Sequence, residues 1–395
     1  MNPQEPEPLR IRQIRIDGLF GLYNHCINLN LKERVTILHG PNGVGKTVTL
    51  RMVEALLKGD YEFFFSYPFD KFIALFDNGT ELTFIPKQQG TSKKITINLV
   101  TDSTTSPHSG DVVITKSRQK VVVYEPPWLT SFRSKNGLSK TSAYLITTQR
   151  LTGSRGSFIS AVKDYSSNLK SIIEKTLAEY SQHAQTLDQS FPLRLLSISN
   201  TSSENTELKQ RMVKLEIQRK DLQKIGLLDE SPTEMFDAKK LDDLIAQEEK
   251  VMTLYVQDTE QKLGQLEDLA RRCKLLLDNI NSKFKNKRLH IGRQNGFVIT
   301  NDANQILDLD SLSSGEQHEI VLLYDLLFRI KPNTLVLIDE PELSLHVSWQ
   351  DHFLPDLLKI VEIAQFDVLI ATHSPYIVGD YIDLMVALET GTKSV

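Results

Sequence analysis

Gly40-Pro41-Asn42-Gly43-Val44-Gly45-Lys46-Thr47 is a complete G-x-x-x-x-G-K-[ST] stretch, and its flanks are those such a loop requires. The apolar run Val35-Thr36-Ile37-Leu38 leads in as a strand, and a helical pattern from Val48 to Leu57 leads out. Glycines let backbone N–H groups turn inward around an anion, and the following helix points its positive end at the same place. In this setting Lys46 reaches the β- and γ-phosphates and the Thr47 hydroxyl ligates Mg²⁺. The eight residues Gly40, Pro41, Asn42, Gly43, Val44, Gly45, Lys46 and Thr47 therefore predict a nucleotide site.

The 395 residues suffice for one large core with an inserted or appended lobe. With 40% hydrophobic and 24% charged residues, the composition is that of an ordinary soluble globular protein. No stretch has the roughly 18 to 20 apolar residues that span a bilayer, so no membrane partner is expected. The acidic, proline-rich start Met1 to Pro8 has the character of neither a signal nor a transit peptide. Cys26 and Cys273 stand far apart, outside any metal-ligand spacing, which fits a reducing, cytoplasmic setting. A net charge of −4 leaves nucleic-acid binding to local patches.

Before the phosphate loop the pattern gives strands at Ile11 to Ile16 and Ile27 to Leu31, with a turn near Gly18 and Gly21. After it, Phe72 to Phe76 and Glu81 to Ile85 flank Asp77-Asn78-Gly79, an Asn-Gly hairpin signal. Ile95 to Leu99, Val112 to Thr115 and Val121 to Tyr124 continue this β-rich lobe up to Pro126-Pro127. From Phe158 the period becomes helical, with Val162, Tyr165, Leu169, Ile173, Leu177 and Tyr180 on one stripe. A second helix carries Leu208, Met212, Leu215 and Leu222. A third runs from about Ala238 to Phe284 and ends in the 3-4 pattern Leu263, Leu266, Ala270, Cys273, Leu277, Ile280 and Phe284. A packed helical lobe and a protruding antiparallel coiled coil both satisfy this pattern; its last three heptads span only about 30 Å.

Short strands follow at Phe297 to Ile299 and Ile306 to Asp308, then a helix over Glu316 to Ile330. A buried strand at Leu335 to Ile338, a helix over Val347 to Glu362 and a buried strand at Val368 to Ala371 complete the alternation. Such alternation predicts a mainly parallel sheet between helices. The strand Leu335-Val336-Leu337-Ile338 delivers Asp339 and Glu340 to its C-terminal end, where a phosphate–Mg²⁺ site belongs. Asp339 would hold the metal opposite Thr47, and Glu340 would polarise the attacking water as general base. Leu312-Ser313-Ser314-Gly315-Glu316-Gln317 puts a hydroxyl and free N–H groups at a helix start, which is either an anion site or an ordinary Ser cap. His373 in Thr372-His373-Ser374 could sense the γ-phosphate or be structural. Gln149, after the apolar run Tyr144-Leu145-Ile146, could touch Mg²⁺ and the attacking water.

In this order the motifs resemble the ABC-type ATPase head shared by SMC proteins, double-strand-break-repair ATPases, RecF and the OLD (overcoming lysogenization defect) proteins. The resemblance covers roughly residues 10 to 60 and 305 to 380. Asp339-Glu340-Pro341-Glu342 followed by Ser344-Leu345-His346 looks most like the OLD and RecF side rather than a transporter. Ser314 replaces a residue that many members keep as Gly. The resemblance implies an α/β phosphate-loop NTPase with a mixed or parallel sheet flanked by helices, a β-rich N-terminal lobe and a short helical insert. Its expected parts are 1–157, 158–290 and 291–395, the outer two forming the head. It implies that two heads sandwich ATP and Mg²⁺, with Ser313, Gly315 and Glu316 acting in trans, so that the working unit is at least a homodimer.

The insert of about 160 residues between Gln149 and the signature is too short for SMC arms. No DxD pair or other nuclease signature fits in the roughly twenty residues after Pro375. Between Lys87 and Lys170 basic residues outnumber acidic ones about three to one, including Lys93, Lys94, Arg118, Lys120, Arg133, Lys135 and Lys140. Lys283 to Arg293 adds a second cluster. These residues could contact DNA phosphates or guard strand edges. Stand-alone heads of this kind resemble the ATPase subunits of anti-phage operons such as Septu, PARIS and some retrons, which implies a separate effector nuclease as partner. A RecF-like DNA repair or DNA-loading ATPase and an ATP-held structural clamp with little turnover are the alternatives.

Overall fold

The computed structural model describes residues 8–89, 92–101, 108–117, 120–135, 142–146, 158–197, 205–229, 249–343, 345 and 347–388. The chain divides into two compact units, Met1–Ser154 together with Phe328–Val395, and Arg155–Leu327. In chain order the first unit begins with β1 (Ile11–Leu19), β2 (Tyr23–Asn28), β3 (Val35–His39), α1 (Lys46–Lys58), β4 (Lys71–Phe76) and β5 (Glu81–Gln89). It continues with β6 (Ser92–Val100), β7 (His108–Ser117), β8 (Lys120–Tyr124), α2 (Pro127–Lys135) and β9 (Ala143–Ile146). The second unit holds α3 (Phe158–Ser197), α4 (Asn205–Ile225), α5 (Glu249–Lys283), β10 (Lys287–Gly292), β11 (Gly296–Asn301), β12 (Ile306–Leu307) and α6 (Ser314–Tyr324). The chain then re-enters the first unit with β13 (Leu335–Asp339), α7 (Val347–Ala364), β14 (Asp367–Ala371), α8 (Pro375–Val378) and β15 (Met385–Ala387).

The first unit stacks two sheets around one helix. Its antiparallel sheet has the order β2-β1-β4-β5-β6-β7-β8. Strand β1 buries Ile14, Ile16 and Leu19 while Arg12 and Arg15 stay exposed, the alternation of a sheet covered on one face. The β4–β5 hairpin closes on Asn78-Gly79, with Gly79 at φ 79° as the Asn-Gly signal requires. The second sheet, β15-β3-β14-β13-β9, is parallel throughout. Its central strands β3, β13 and β14 are nearly continuous buried apolar runs, because both of their faces are covered.

Helix α1 is buried nearly all round, at Val48, Leu50, Met52, Val53, Ala55, Leu56 and Leu57. That follows from its place in one core that runs from Ile14, Phe72 and Phe84 of the antiparallel sheet to Leu337 and Leu369 of the parallel one. Phe64 stacks on Phe84 with ring centroids 5.1 Å apart and meets Phe72 edge-on at 5.4 Å. A bidentate ion pair also joins the sheets. Arg10 Nε donates to Asp367 Oδ2 at 2.8 Å and its Nη2 to Oδ1 at 2.5 Å, while Nη2 also donates to the Leu31 carbonyl.

In the second unit α3 and α4 pack along α5, which buries Leu263, Leu266, Leu269, Cys273, Leu276 and Ile280. Leu269 and Leu276 are therefore deeper than the expected Ala270 and Leu277, both half-buried. Helix α6 is fixed to α3 by stacking of Tyr165 on Tyr324 at 4.6 Å. The Tyr165 hydroxyl donates to Asp325, and the Tyr324 hydroxyl to Asn168.

Several boundaries differ from the sequence reading. The second strand starts at Tyr23 rather than Ile27, since its pairing with β1 continues to Leu19↔Tyr23. The first long helix continues past Tyr180 to Ser197, where Arg194 pairs with the buried Asp258 of α5. The helix expected over Glu316 to Ile330 is α-helical only to Tyr324 and becomes a π-turn over Asp325–Arg329. The third helix is described from Glu249; residues 230–248 lie outside the described residues. The expected division at 290/291 falls inside the second unit, because β10 to β12 and α6 pack on α3 and α5.

Candidate functional site

The site is built at the C-terminal ends of the parallel strands, where β3, β13 and β14 deliver their loops. After β3 the chain enters the phosphate loop. Gly43 at φ 83° and Gly45 at φ 99° give it a left-handed course that L side chains rarely take. A Cβ on Gly45 would stand 2.5 Å from Leu19 Cδ2, whereas one on Gly43 would meet nothing within 4 Å. Gly45 thus packs the loop onto the antiparallel sheet, and Gly43 leaves room on the ligand side. The first-turn N–H groups of α1 have no side-chain cap, an arrangement that leaves them for an anion.

Lys46 is buried and lies along the loop, its Nζ donating to the carbonyls of Gly40 at 2.9 Å and Pro41 at 3.1 Å. Burial lowers its pKa, and the carboxylates of Glu340, Asp339 and Glu342 act against that shift. The Thr47 hydroxyl donates to Asp339 Oδ1 at 2.9 Å. Burial raises the Asp339 pKa; the Thr47 hydrogen bond opposes this, and Glu340 adds to it. Glu340 takes a left-handed conformation, φ 47°, and its N–H donates to the Ala371 carbonyl at 2.8 Å. His373 Nε2 lies 2.5 Å from Lys46 Nζ and 3.8 Å from Glu340 Oε1.

These groups open on a cleft of about 180 Å³ lined by Phe20, Gly43, Lys46, Thr47, Glu340 and His373. The structure thus brings Lys46, Thr47, Asp339, Glu340 and His373 together. The Thr47 hydroxyl and the Asp339 carboxylate are adjacent hard oxygen donors. They fit Mg²⁺, which takes one or two protein oxygens and draws the rest of its shell from substrate phosphates and water. Among the described residues no cluster of three His, Cys, Asp or Glu offers a site of another kind. Gln149 lies outside the described residues, as does His346.

The second unit carries the L-S-S-G-E stretch. Ser313 caps α6 and completes a capping box: its Oγ accepts the Glu316 N–H at 3.3 Å, and Glu316 Oε2 accepts the Ser313 N–H at 2.7 Å. Lys287 donates to the same Oε2 at 2.9 Å. Burial alone would raise the Glu316 pKa, but Lys287 and the Ser313 N–H more than offset it and the group is lowered. Nothing within 4 Å would meet a Cβ on Gly315, so the backbone there is open to approach.

The basic clusters are partly occupied within the fold. Lys94 pairs with Asp111, Arg133 lies 3.6 Å from Glu125, and Lys93 stands over the Phe65 ring at 5.2 Å. In the second cluster Lys283 pairs with Glu319, Lys287 with Glu316 and Arg293 with Asp229. Lys283 and Glu319 are both buried. Arg118 and Lys140 lie outside the described residues.

Three residues at the site escaped sequence reasoning. Phe20 lines the cleft at φ 57°. His25, buried in β2, holds the phosphate loop through a 2.8 Å hydrogen bond between its Nε2 and the Val44 carbonyl. Glu342 Oε1 accepts the N–H groups of His373 and Ser374. Glu342 stands in the Asp339-Glu340-Pro341-Glu342 stretch that carries the resemblance, but nothing local shows that its carboxylate meets the 373–374 amides.

Over 150 residues the chain is 31% identical to the retron Ec83 probable ATPase of Escherichia coli, a stretch that makes up 30% of this chain and 27% of that protein. Solved SMC head domains align along nearly the whole chain at low similarity. The head with an extended coiled coil from Pyrococcus furiosus has 13% identity and a TM-score of 0.39, with 97% of this chain and 94% of that one covered. The head from Thermotoga maritima has 12% identity and a TM-score of 0.37, with 96% and 94% covered. The AAA ATPase domain family matches residues 10–378, a span that takes in the phosphate loop, the acidic strand and the His373 loop, and the chain belongs to that family.

Proposed function

We propose that this protein is an Mg²⁺-dependent ATPase that closes on a second copy of itself over ATP. In this reading it is the ATP-switched subunit of an anti-phage defence assembly that holds or releases a separate effector nuclease. The observation that carries the ATPase reading is the 2.9 Å hydrogen bond from Thr47 to Asp339 at the edge of a cleft that Lys46, Thr47, Glu340 and His373 line. Mg²⁺, when bound, neutralises phosphate charge. The phosphate-loop N–H groups and Lys46 bind and orient the phosphates, and Thr47 and Asp339 hold the metal. Glu340 Oε1 accepts the proton of the attacking water, and His373 stands where it can meet the transferred phosphoryl group. Among the described residues Ser313 Oγ is engaged as an acceptor of the Glu316 N–H, so its O–H is available to donate to an anion of the partner copy. The likeness to a retron ATPase supports the defence role.

The test is steady-state ATP hydrolysis by the purified chain, with and without duplex DNA and with Glu340→Gln as the blank. A Mg²⁺-dependent rate that DNA leaves unchanged and the blank lacks is the expected result. Strong stimulation by DNA would replace the defence role with a repair or DNA-loading one. Nucleotide binding with no turnover would leave a structural clamp, and a parental rate in Glu340→Gln would remove Glu340 as general base.

A further inference from the structure

Glu342 stands in the turn after β13, where Pro341–Leu343 forms a single 3₁₀ turn. Its Oε1 accepts two backbone N–H groups from the loop after β14, His373 at 2.8 Å and Ser374 at 3.2 Å. Its Oε2 is buried and has no hydrogen-bond partner among the described residues. The same residue is tied a second time. Its carbonyl accepts Gln350 Nε2 at 3.2 Å, and Gln350 Oε1 accepts the Ser374 hydroxyl at 3.1 Å. A closed ring, Glu342–Gln350–Ser374–Glu342, thus joins the turn after the acidic strand, helix α7 and the His373 loop. One side chain fixes the peptide from which the His373 imidazole projects toward Lys46 and Glu340.

Backbone N–H groups accepted by a carboxylate make charge-assisted hydrogen bonds, about twice as strong as neutral ones. Without it, the partly buried His373 N–H loses its acceptor, the Ser374 N–H keeps only its 3.0 Å bond to Thr372 Oγ1, and the loop can shift. A small displacement of a catalytic group is expensive in rate, since an error on the order of 1 Å can cost about a hundredfold. Ground-state binding is a different matter, because the phosphate loop has its own supports in Gly45, the Lys46 contacts and His25.

We propose that Glu342 is a positioning residue of the hydrolytic site, setting the place of His373 beside Glu340 by holding the 373–374 backbone. The inference rests on the ATPase reading above. Its test therefore pairs an activity with a readout that needs none. The full chain, Glu342→Ala and Glu342→Gln are compared by amide hydrogen exchange over residues 372–376, by affinity for a fluorescent ATP analogue with Mg²⁺, and by steady-state hydrolysis. In Glu342→Ala, exchange at His373 rises at least tenfold, Ser374 responds less because Thr372 Oγ1 still accepts its N–H, and β3 and α1 stay at parental rates. The affinity remains within about threefold and kcat falls at least tenfold. Glu342→Gln keeps an acceptor oxygen and restores both exchange and kcat to within about threefold of the parent.

Unchanged exchange in Glu342→Ala overturns the proposal, and so does parental kcat in a variant whose loop exchanges faster. Acceleration that spreads equally to β3 and α1 also overturns it, by making Glu342 a general brace. If Glu342→Ala does not fold, Glu342→Asp, one methylene short of the two amides, takes its place with the same expectations. A parent chain without hydrolysis would refute the ATPase reading instead, and the exchange comparison would still decide whether Glu342 holds the loop.

Discussion

Glu340 is held at φ 47°, a conformation that costs an L residue about 1–2 kcal/mol. The Ala371 carbonyl stabilises it by accepting its N–H, and the twist turns its carboxylate toward His373 rather than back along β13. Glu340→Gln keeps this shape and removes the carboxylate that the proposed function makes the base. Hydrolysis should fall at least a hundredfold, and an ATP-bound oligomer should accumulate on a sizing column. Glu316 offers a pH test at the same scale. Its pKa is lowered in the folded chain, so its contribution is present above the ordinary carboxylate value of about 4.5 and is lost as pH falls through the folded value. Glu316→Gln can still form a capping box but loses the charge that meets Lys287. The parent should be more stable than this variant by about 0.5–1 kcal/mol at pH 7 in urea unfolding, and the difference should shrink as pH falls below about 4.5 and vanish once it is below the lowered folded value. Residues whose neighbours in sequence declare them were legible from the chain alone: Lys46 and Thr47 in their loop, Asp339 and Glu340 at the end of an apolar strand. His25 and Glu342 were not, because their partners, the Val44 carbonyl and the 373–374 amides, meet them only through folding.

Among the elements, the parallel sheet and the antiparallel sheet share α1 and one core, yet only one charged pair links them directly, Arg10 with Asp367 among the described residues. Both side chains are largely out of water, with 19% and 11% exposure. Removing one partner leaves the other charge stranded. Asp367→Ala should therefore cost about 3 kcal/mol, read as a lower urea midpoint with an unchanged slope. Strands such as β3, β13 and β14 were legible because burial on both faces writes an unbroken apolar run. Helix ends were less so. Asp325–Arg329 keeps apolar residues at helical spacing, and nothing in that period distinguishes a π-turn from an α-turn.

At the scale of the whole molecule, the phosphate loop belongs to one unit and the Ser313 stretch to the other. Under the proposed function the two meet across copies, so Ser313→Arg should abolish ATP-driven association while ATP binding to the isolated subunit stays within about threefold. A dimer that persists with ATP in that variant would count against the shared site; light scattering with and without nucleotide decides it. The division at Leu327 rather than near residue 290 was hidden from the sequence, since β10 to β12 carry ordinary strand patterns and only their packing on α3 and α5 assigns them. The order of the parallel sheet has a consequence for how the protein is made. Among the described residues β3 hydrogen-bonds on one side to β14 and on the other to β15, β9 pairs with β13 alone, and the antiparallel sheet is made from strands within β1 to β8. A ribosome emits the antiparallel sheet and the phosphate loop before the second unit, and β14 and β15, which flank β3 in its sheet, only after it. While the second unit is being made the nascent chain holds the loop without Asp339, Glu340 or His373, so under the proposed function the emerging polypeptide turns over no ATP until β14 and the loop after it have left the exit tunnel.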